Sequence, residues 1–290
     1  MSERAPDKKR ITPSNLLRAI GIVAVIQFVS LLITAQNLPV YVEIVNSTGY
    51  SYNPLGNSAE AAAGNAALLV ALAFALTLGL IWLLRRKMVN SFRLAIFGSV
   101  SIAAFIMTLV SADTFAQLYL PPVLEAPVAY GAAVLTVVLI GYTIFVRNRP
   151  WLSTVILAFV GAEVGSFFAE TLPLATALIL PIAFSVYDVY AVFRGPLRQL
   201  LGTAPNIALV GMSVRAGEFT LGLGDIVFYT MLPSLALFYL TPAMSVATIV
   251  AIDAGVLGTL ILLSRQRLLP GLPIPMALGV LVLVVGFYLA

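Results

Sequence analysis

Four carboxylates stand inside stretches that otherwise carry no charge: Glu163, Asp188, Asp225 and Asp253. At the centre of a bilayer an acid costs roughly 2.5–3.5 kcal/mol on insertion scales, so each is either functional or a hydrogen-bonded structural group. The chain contains no histidine and no cysteine. Ser-His and Cys-His catalysis, disulfides, and thiolate or imidazole metal sites are therefore excluded, and neither a metal nor a cofactor is expected. A pair of carboxylates remains. Held a few ångströms apart, two carboxyl groups share one proton. The ionised member can take a proton from water as it attacks a peptide carbonyl, while the protonated member donates to the carbonyl oxygen.

Which of the four can meet depends on the elements that carry them. Of the 290 residues, 61% are apolar and only 10% charged, against about 25% charged in a soluble domain. That places the chain in the membrane class. With about 20 apolar residues needed per span, nine spans are expected, near 16–36, 66–84, 94–112, 127–146, 151–170, 173–193, 221–240, 243–264 and 273–290. The expected fold is an all-α integral membrane bundle of nine transmembrane helices. It forms one polytopic domain: a tail over 1–15, five helices across 16–172, and catalytic helices six to nine across 173–290. The first apolar run is long enough to span and reads as a retained signal anchor. Thr171-Leu172-Pro173 and Thr241-Pro242 are expected to be tight turns between spans.

Charge tests the count independently. All 16 Lys and Arg residues fall in the tail, at Arg18, or in the segments 85–93, 147–150, 194–220 and 265–269. With nine spans these segments lie on one side, and the other side holds only Glu43, Glu60, Glu125 and Glu170, with Asp113 nearby. The positive-inside rule then places the N-terminus in the cytoplasm and the C-terminus outside, in a multi-pass protein of the cell membrane. The basic pI follows from topology, and nucleic acid is not an expected partner. The outer segment 37–65 carries Asn46-Ser47-Thr48, which fits an N-glycosylation acceptor and equally a chance match.

Depth then separates the acids. Asp188 lies six residues before Arg194, or ~9 Å inside the cytoplasmic edge, and Asp225 lies four residues into its span, ~6 Å. Asp253 and Glu163 are deeper, at ~18 Å and ~21 Å from Arg265 and Arg149. Only Asp188 and Asp225 sit at similar depth on consecutive antiparallel helices. Gly222 and Gly224 fall in the expected first turn before Asp225, where they permit close backbone approach and non-helical geometry. Such a Gly-rich edge can also pair with an unwound, extended peptide.

Phe184-Ser185-Val186-Tyr187-Asp188 resembles the YD motif in the sixth span of presenilins and signal peptide peptidases, the intramembrane aspartyl proteases. Gly222-Leu223-Gly224-Asp225 resembles their GxGD motif in the seventh. Their Pro-Ala-Leu motif opening the ninth span is similar to Pro270-Gly271-Leu272, with glycine in place of alanine, a departure conservative in size. The resemblance implies that Asp188 and Asp225 are the catalytic pair. It implies that Pro270, Gly271 and Leu272 lie beside them and help to shape substrate binding, that Gly222, Leu223 and Gly224 shape the site, and that Tyr187 neighbours the pair. The segment 194–220 is shorter than the loop cut during maturation of animal presenilins. The chain thus looks like a microbial, archaeal-type homologue acting without the partner subunits of γ-secretase; homo-oligomers remain open. Its charge pattern favours the presenilin orientation, which implies single-span substrates with their N-terminus outside, cut after a first cleavage has shortened the outer domain. Two alternatives stay open: a prepilin or preflagellin peptidase, which also uses a GxGD aspartate, and a channel or transporter using the four acids as a cation path.

Overall fold

The computed structural model describes residues 12–48, 54–56, 58–146, 150–195, 212–216, 219–263 and 269–289. Among them are nine helices: α1 (Pro13–Thr48), α2 (Ala59–Arg85), α3 (Val89–Tyr119), α4 (Pro122–Phe145), α5 (Pro150–Thr171), α6 (Leu174–Phe193), α7 (Leu223–Tyr239), α8 (Pro242–Leu263) and α9 (Pro273–Leu289). Seven are long and apolar enough to cross a membrane, and α7 and α9 are shorter apolar helices of 17 residues each. Both expected turns fall between helices, at Pro173 before α6 and at Thr241 before α8. Proline has no N–H to continue the preceding helix, yet suits the start of the next one.

Three expectations change. α1 runs for 36 residues, past Pro39 to Thr48, so it is ~54 Å long and exceeds the ~30 Å hydrocarbon core. The expected outer segment 37–65 is therefore helical over 37–48 and again from Ala59, and Asn46 is exposed on the last turn of α1. Glu170, assigned from its position to the outer side, is fully buried at the end of α5. It accepts hydrogen bonds from Ser166 (2.7 Å) and from Asn37 of α1 (3.3 Å). The seventh span starts later than expected, because residues 213–216 and 219–222 form an antiparallel ribbon of β1 (Ser213–Ala216) and β2 (Phe219–Gly222). Ser213 pairs with Gly222 and Val214 with Leu221, and the Leu223 N–H donates to the Met212 carbonyl (2.8 Å). Most of the segment 194–220, the tail, and the basic residues at 147, 149, 265 and 267 lie outside the described residues.

The bundle is built around α7. Every residue from Ile226 to Ala236 is buried, the pattern of a helix covered on all sides. α1, α5, α8 and α9 supply that cover. α5 approaches closest, through Gly161 and Gly165, spaced i and i+4. A methyl on Gly161 would meet Ile226 Cγ2 at 2.7 Å, and one on Gly165 would meet the Val227 carbonyl at 2.6 Å and the Thr230 hydroxyl. This is the small-xxx-small solution to helix packing in lipid, where backbones gain dispersion contact by coming close. α1 lies against α5 and α7 with a row of polar side chains. Gln27 donates to the Tyr229 carbonyl (3.3 Å), Ser30 bonds Ser234 (2.8 Å), and Thr34 bonds Ser166 (2.6 Å). α6 packs against α2 and α9.

Candidate active site

Asp188 and Asp225 are delivered by different routes. Asp225 is the third residue of α7, where Gly222, extended at φ −64° and ψ 144°, caps the helix. Its Oδ2 accepts the Gly222 N–H at 3.2 Å. A carboxylate three residues after the cap satisfies a backbone donor that the helix start leaves open. β2 thus hands over directly to the aspartate. Asp188 lies in the last two turns of α6, and its Oδ2 accepts the Leu272 N–H at 3.1 Å.

The segment before α9 brings the two together. Leu272 holds Asp188, while the adjacent Gly271 lies against Asp225: a methyl on Gly271 would stand 2.8 Å from Asp225 Oδ2 and 3.0 Å from its Cγ. The alanine-to-glycine departure therefore vacates the space that the Asp225 carboxyl group fills. Tyr229 completes the arrangement. It lies one turn after Asp225, is 2% exposed, and donates its hydroxyl to the Gly271 carbonyl at 2.9 Å. Pro270 and Leu272 are buried. Across the gap between α6 and α7, the Phe184 and Phe228 rings are 4.9 Å apart.

The other expected residues are placed less uniformly. Gly222 closes the ribbon and is in contact with Asp225, whereas Gly224 has nothing within 4 Å of the position a methyl would take. Close approach to α7 is achieved by the glycines of α5; Leu223 and Gly224 instead line a cavity of about 320 Å³ between α2, α3, α5 and α7. Tyr187 precedes Asp188 in the chain, but successive helical residues diverge by about 100°. Its hydroxyl donates to Thr77 of α2 (3.2 Å) and its ring meets Phe74 edge-on. Glu163 accepts from Thr108 of α3 at 2.6 Å and is 2% exposed, on the far side of α5 from the pair. Asp253 lies in α8 with a buried Oδ1 that has no partner. Sequence reading missed Tyr229 and the Gly161/Gly165 pair. Both were signalled by i, i+4 spacing, the first relative to Asp225 and the second within Gly161-Ala162-Glu163-Val164-Gly165.

Two solved structures, both described as a presenilin family intramembrane aspartate protease, superpose on almost the whole chain. One, in space group C222, has a TM-score of 0.63 at 19% identity and covers 95% of this chain and 99% of its own. The other, in P2, has a TM-score of 0.61 at 20% identity over 92% and 97%. This is the presenilin fold. In sequence, residues 212–290 match the profile of the family described as Presenilin. Presenilin-B of Dictyostelium discoideum is 36% identical over 121 residues, 38% of this chain. That match spans about a quarter (25%) of the Dictyostelium protein. The sequence likeness to presenilins thus includes β1, β2 and α7 to α9, and the fold likeness extends it to the whole multi-pass membrane bundle.

Proposed function

We propose that this presenilin-like chain is an intramembrane aspartyl endopeptidase that cuts the membrane-spanning segments of other proteins. One observation carries the reading: Asp188 and Asp225, from different helices, both meet the dipeptide Gly271-Leu272. In this reading one carboxylate takes a proton from water as its oxygen bonds to the scissile carbonyl carbon. The other carboxyl group donates its proton to the carbonyl oxygen. Breakdown of the tetrahedral intermediate reverses the roles: the C–N bond breaks and the leaving amine is protonated. Asp188 and Asp225 would be catalytic. Gly222, Leu223, Gly224, Pro270, Gly271 and Leu272 would shape the site, Tyr229 would position the Gly271 carbonyl, and Tyr187 would act through α2.

A helical substrate offers no free backbone to attack, because its peptide groups are bonded internally. The β1–β2 ribbon supports a solution. A two-stranded sheet leaves one edge of each strand unpaired, and β2 ends at Gly222 beside Asp225. An unwound substrate segment adding to that edge would bring its peptide bonds past the carboxylates. The charge distribution supports a cytoplasmic N-terminus and single-span substrates with the opposite orientation, in the cell membrane. The short segment 194–220 supports action without the partner subunits of γ-secretase. A cation path is disfavoured because the buried acids are dispersed. Glu163 and Glu170 are each bonded to hydroxyl or amide groups on separate helix contacts, away from the pair.

The test is proteolysis of a single-span substrate by purified protein in detergent, comparing wild type with Asp188→Asn and Asp225→Asn. Both substitutions are expected to abolish cleavage while leaving the protein folded. Retained cleavage in either variant would refute the pair; ion flux in liposomes without cleavage would favour the channel reading.

A further inference from the structure

A large groove lies away from the aspartates. It encloses about 800 Å³ between the N-terminal halves of α1 and α5 and the outer face of β1, within the ~300–1,000 Å³ typical of ligand sites. Its walls are apolar, formed by residues such as Val25, Ala158 and Phe159, and its mouth carries two guanidinium groups, Arg18 and Arg215. Both arginines are exposed, and the lining contains no acidic side chain among the described residues. Trp151, 61% exposed, stands at the same end, where indole rings favour the boundary between headgroups and hydrocarbon.

We propose that this groove is a binding site for an anionic membrane lipid. The phosphate would sit between Arg18 and Arg215, and one hydrocarbon chain would lie along α1 and α5. Length selects a lipid over a spanning peptide. Along α1 the lining runs from Arg18 to Val29, which is ~17 Å. That is about half of a ~30 Å hydrocarbon core, the depth of one leaflet. A transmembrane helix would need a contact strip twice as long. Charge selects an anionic headgroup over a zwitterionic one: two arginines line the mouth, and no acidic side chain among the described lining residues pairs with a choline or ethanolamine cation. The peptide backbone at Arg215 is itself held, its N–H donating to the Thr154 hydroxyl of α5 at 3.3 Å. The second guanidinium is therefore presented by a ribbon pinned to the groove wall. The site does not depend on the proteolytic reading.

The chain has two tryptophans, Trp82 and Trp151, so Trp82→Phe leaves Trp151 as a fluorescent reporter at the mouth. The full chain is reconstituted in phosphatidylcholine vesicles containing a small fraction of chain-brominated phosphatidylglycerol or, in parallel, of chain-brominated phosphatidylcholine. About a fivefold gain per arginine gives an expected preference for phosphatidylglycerol of roughly 30-fold in the concentration that half-quenches Trp151. Arg18→Gln with Arg215→Gln should remove the preference, and Arg18→Lys with Arg215→Lys should keep most of it, which separates charge from folding damage. Equal quenching by the two lipids would overturn the proposal, as would a preference unchanged in the double glutamine variant. Quenching that is equal for both lipids and relieved by a spanning peptide would assign the groove to a peptide instead.

Discussion

Adding one methyl group at Gly271 should cost this chain more in activity than in stability. A Cβ there would stand 2.8 Å from Asp225 Oδ2, 3.0 Å from Cγ and 3.1 Å from Oδ1. Ordinary van der Waals contact begins near 3.4 Å, so something must move by about 0.6 Å, the difference between 3.4 and 2.8 Å. If the Asp225 carboxyl group swings, it leaves the Gly222 N–H at 3.2 Å. If the segment withdraws, it strains the Leu272 bond to Asp188 (3.1 Å) and the Tyr229 bond to Gly271 (2.9 Å). Either way the relation between the two carboxyl groups changes. Overpacking costs ~1–3 kcal/mol, and the low end applies because the end of a side chain can yield. A 1 Å misplacement of reacting groups costs about 100-fold in rate. A shift of roughly half that size is therefore expected to lower kcat by 10- to 50-fold, or ~1.4–2.3 kcal/mol of barrier. Initial rates on a single-span substrate, with thermal unfolding of the same preparations, provide the measurement. Gly258→Ala is the control, since a methyl there would find its nearest neighbour at 4.0 Å. Wild-type activity in Gly271→Ala would refute the argument, because the carboxyl positions would then not matter at this scale. A loss of equal size in Gly258→Ala would refute it as well.

Two further substitutions probe the support around the pair. Tyr229→Phe removes the donor to the Gly271 carbonyl; losing such a buried partner costs ~1–3 kcal/mol. A lower unfolding temperature and about a tenfold lower cleavage rate are expected, while Tyr187→Phe, whose hydroxyl bonds α2, should affect the rate less. Gly165→Ala drives a methyl against the Val227 carbonyl and the Thr230 hydroxyl, and should destabilise the bundle by up to ~3 kcal/mol. Gly131→Ala, with nothing within 4 Å, should leave the unfolding temperature unchanged.

Much of the architecture was legible without coordinates, for a reason particular to membranes. A backbone in hydrocarbon must bond internally, so each apolar run of sufficient length becomes a helix, and loops collect the charges. That logic located nine helices, including the short α7 and α9, and the turns at Pro173 and Thr241. It failed where polarity stopped tracking the membrane boundary. α1 continues through a polar outer stretch to Thr48. Glu170 looked like a loop acid, yet it is buried because Asn37 and Ser166 meet its carboxyl group. The β1–β2 ribbon escaped notice because four-residue strands have too few alternations to register as a period.

The sequence by itself narrowed the candidate chemistry to carboxylates, since histidine and cysteine are absent. It also singled out Asp188 and Asp225, because helix rise converts residue number into depth. Depth is one-dimensional, however, and cannot say what lies beside a residue. Tertiary structure alone decided that Gly271 and Leu272 bridge the two carboxyl groups, that Tyr229 secures that bridge, and that Tyr187 bonds to α2. These relations join residues 40 or more positions apart in the chain, and no local periodicity encodes them. The first two arise only when α6, α7 and α9 pack around one shared point, and the third when α6 packs against α2.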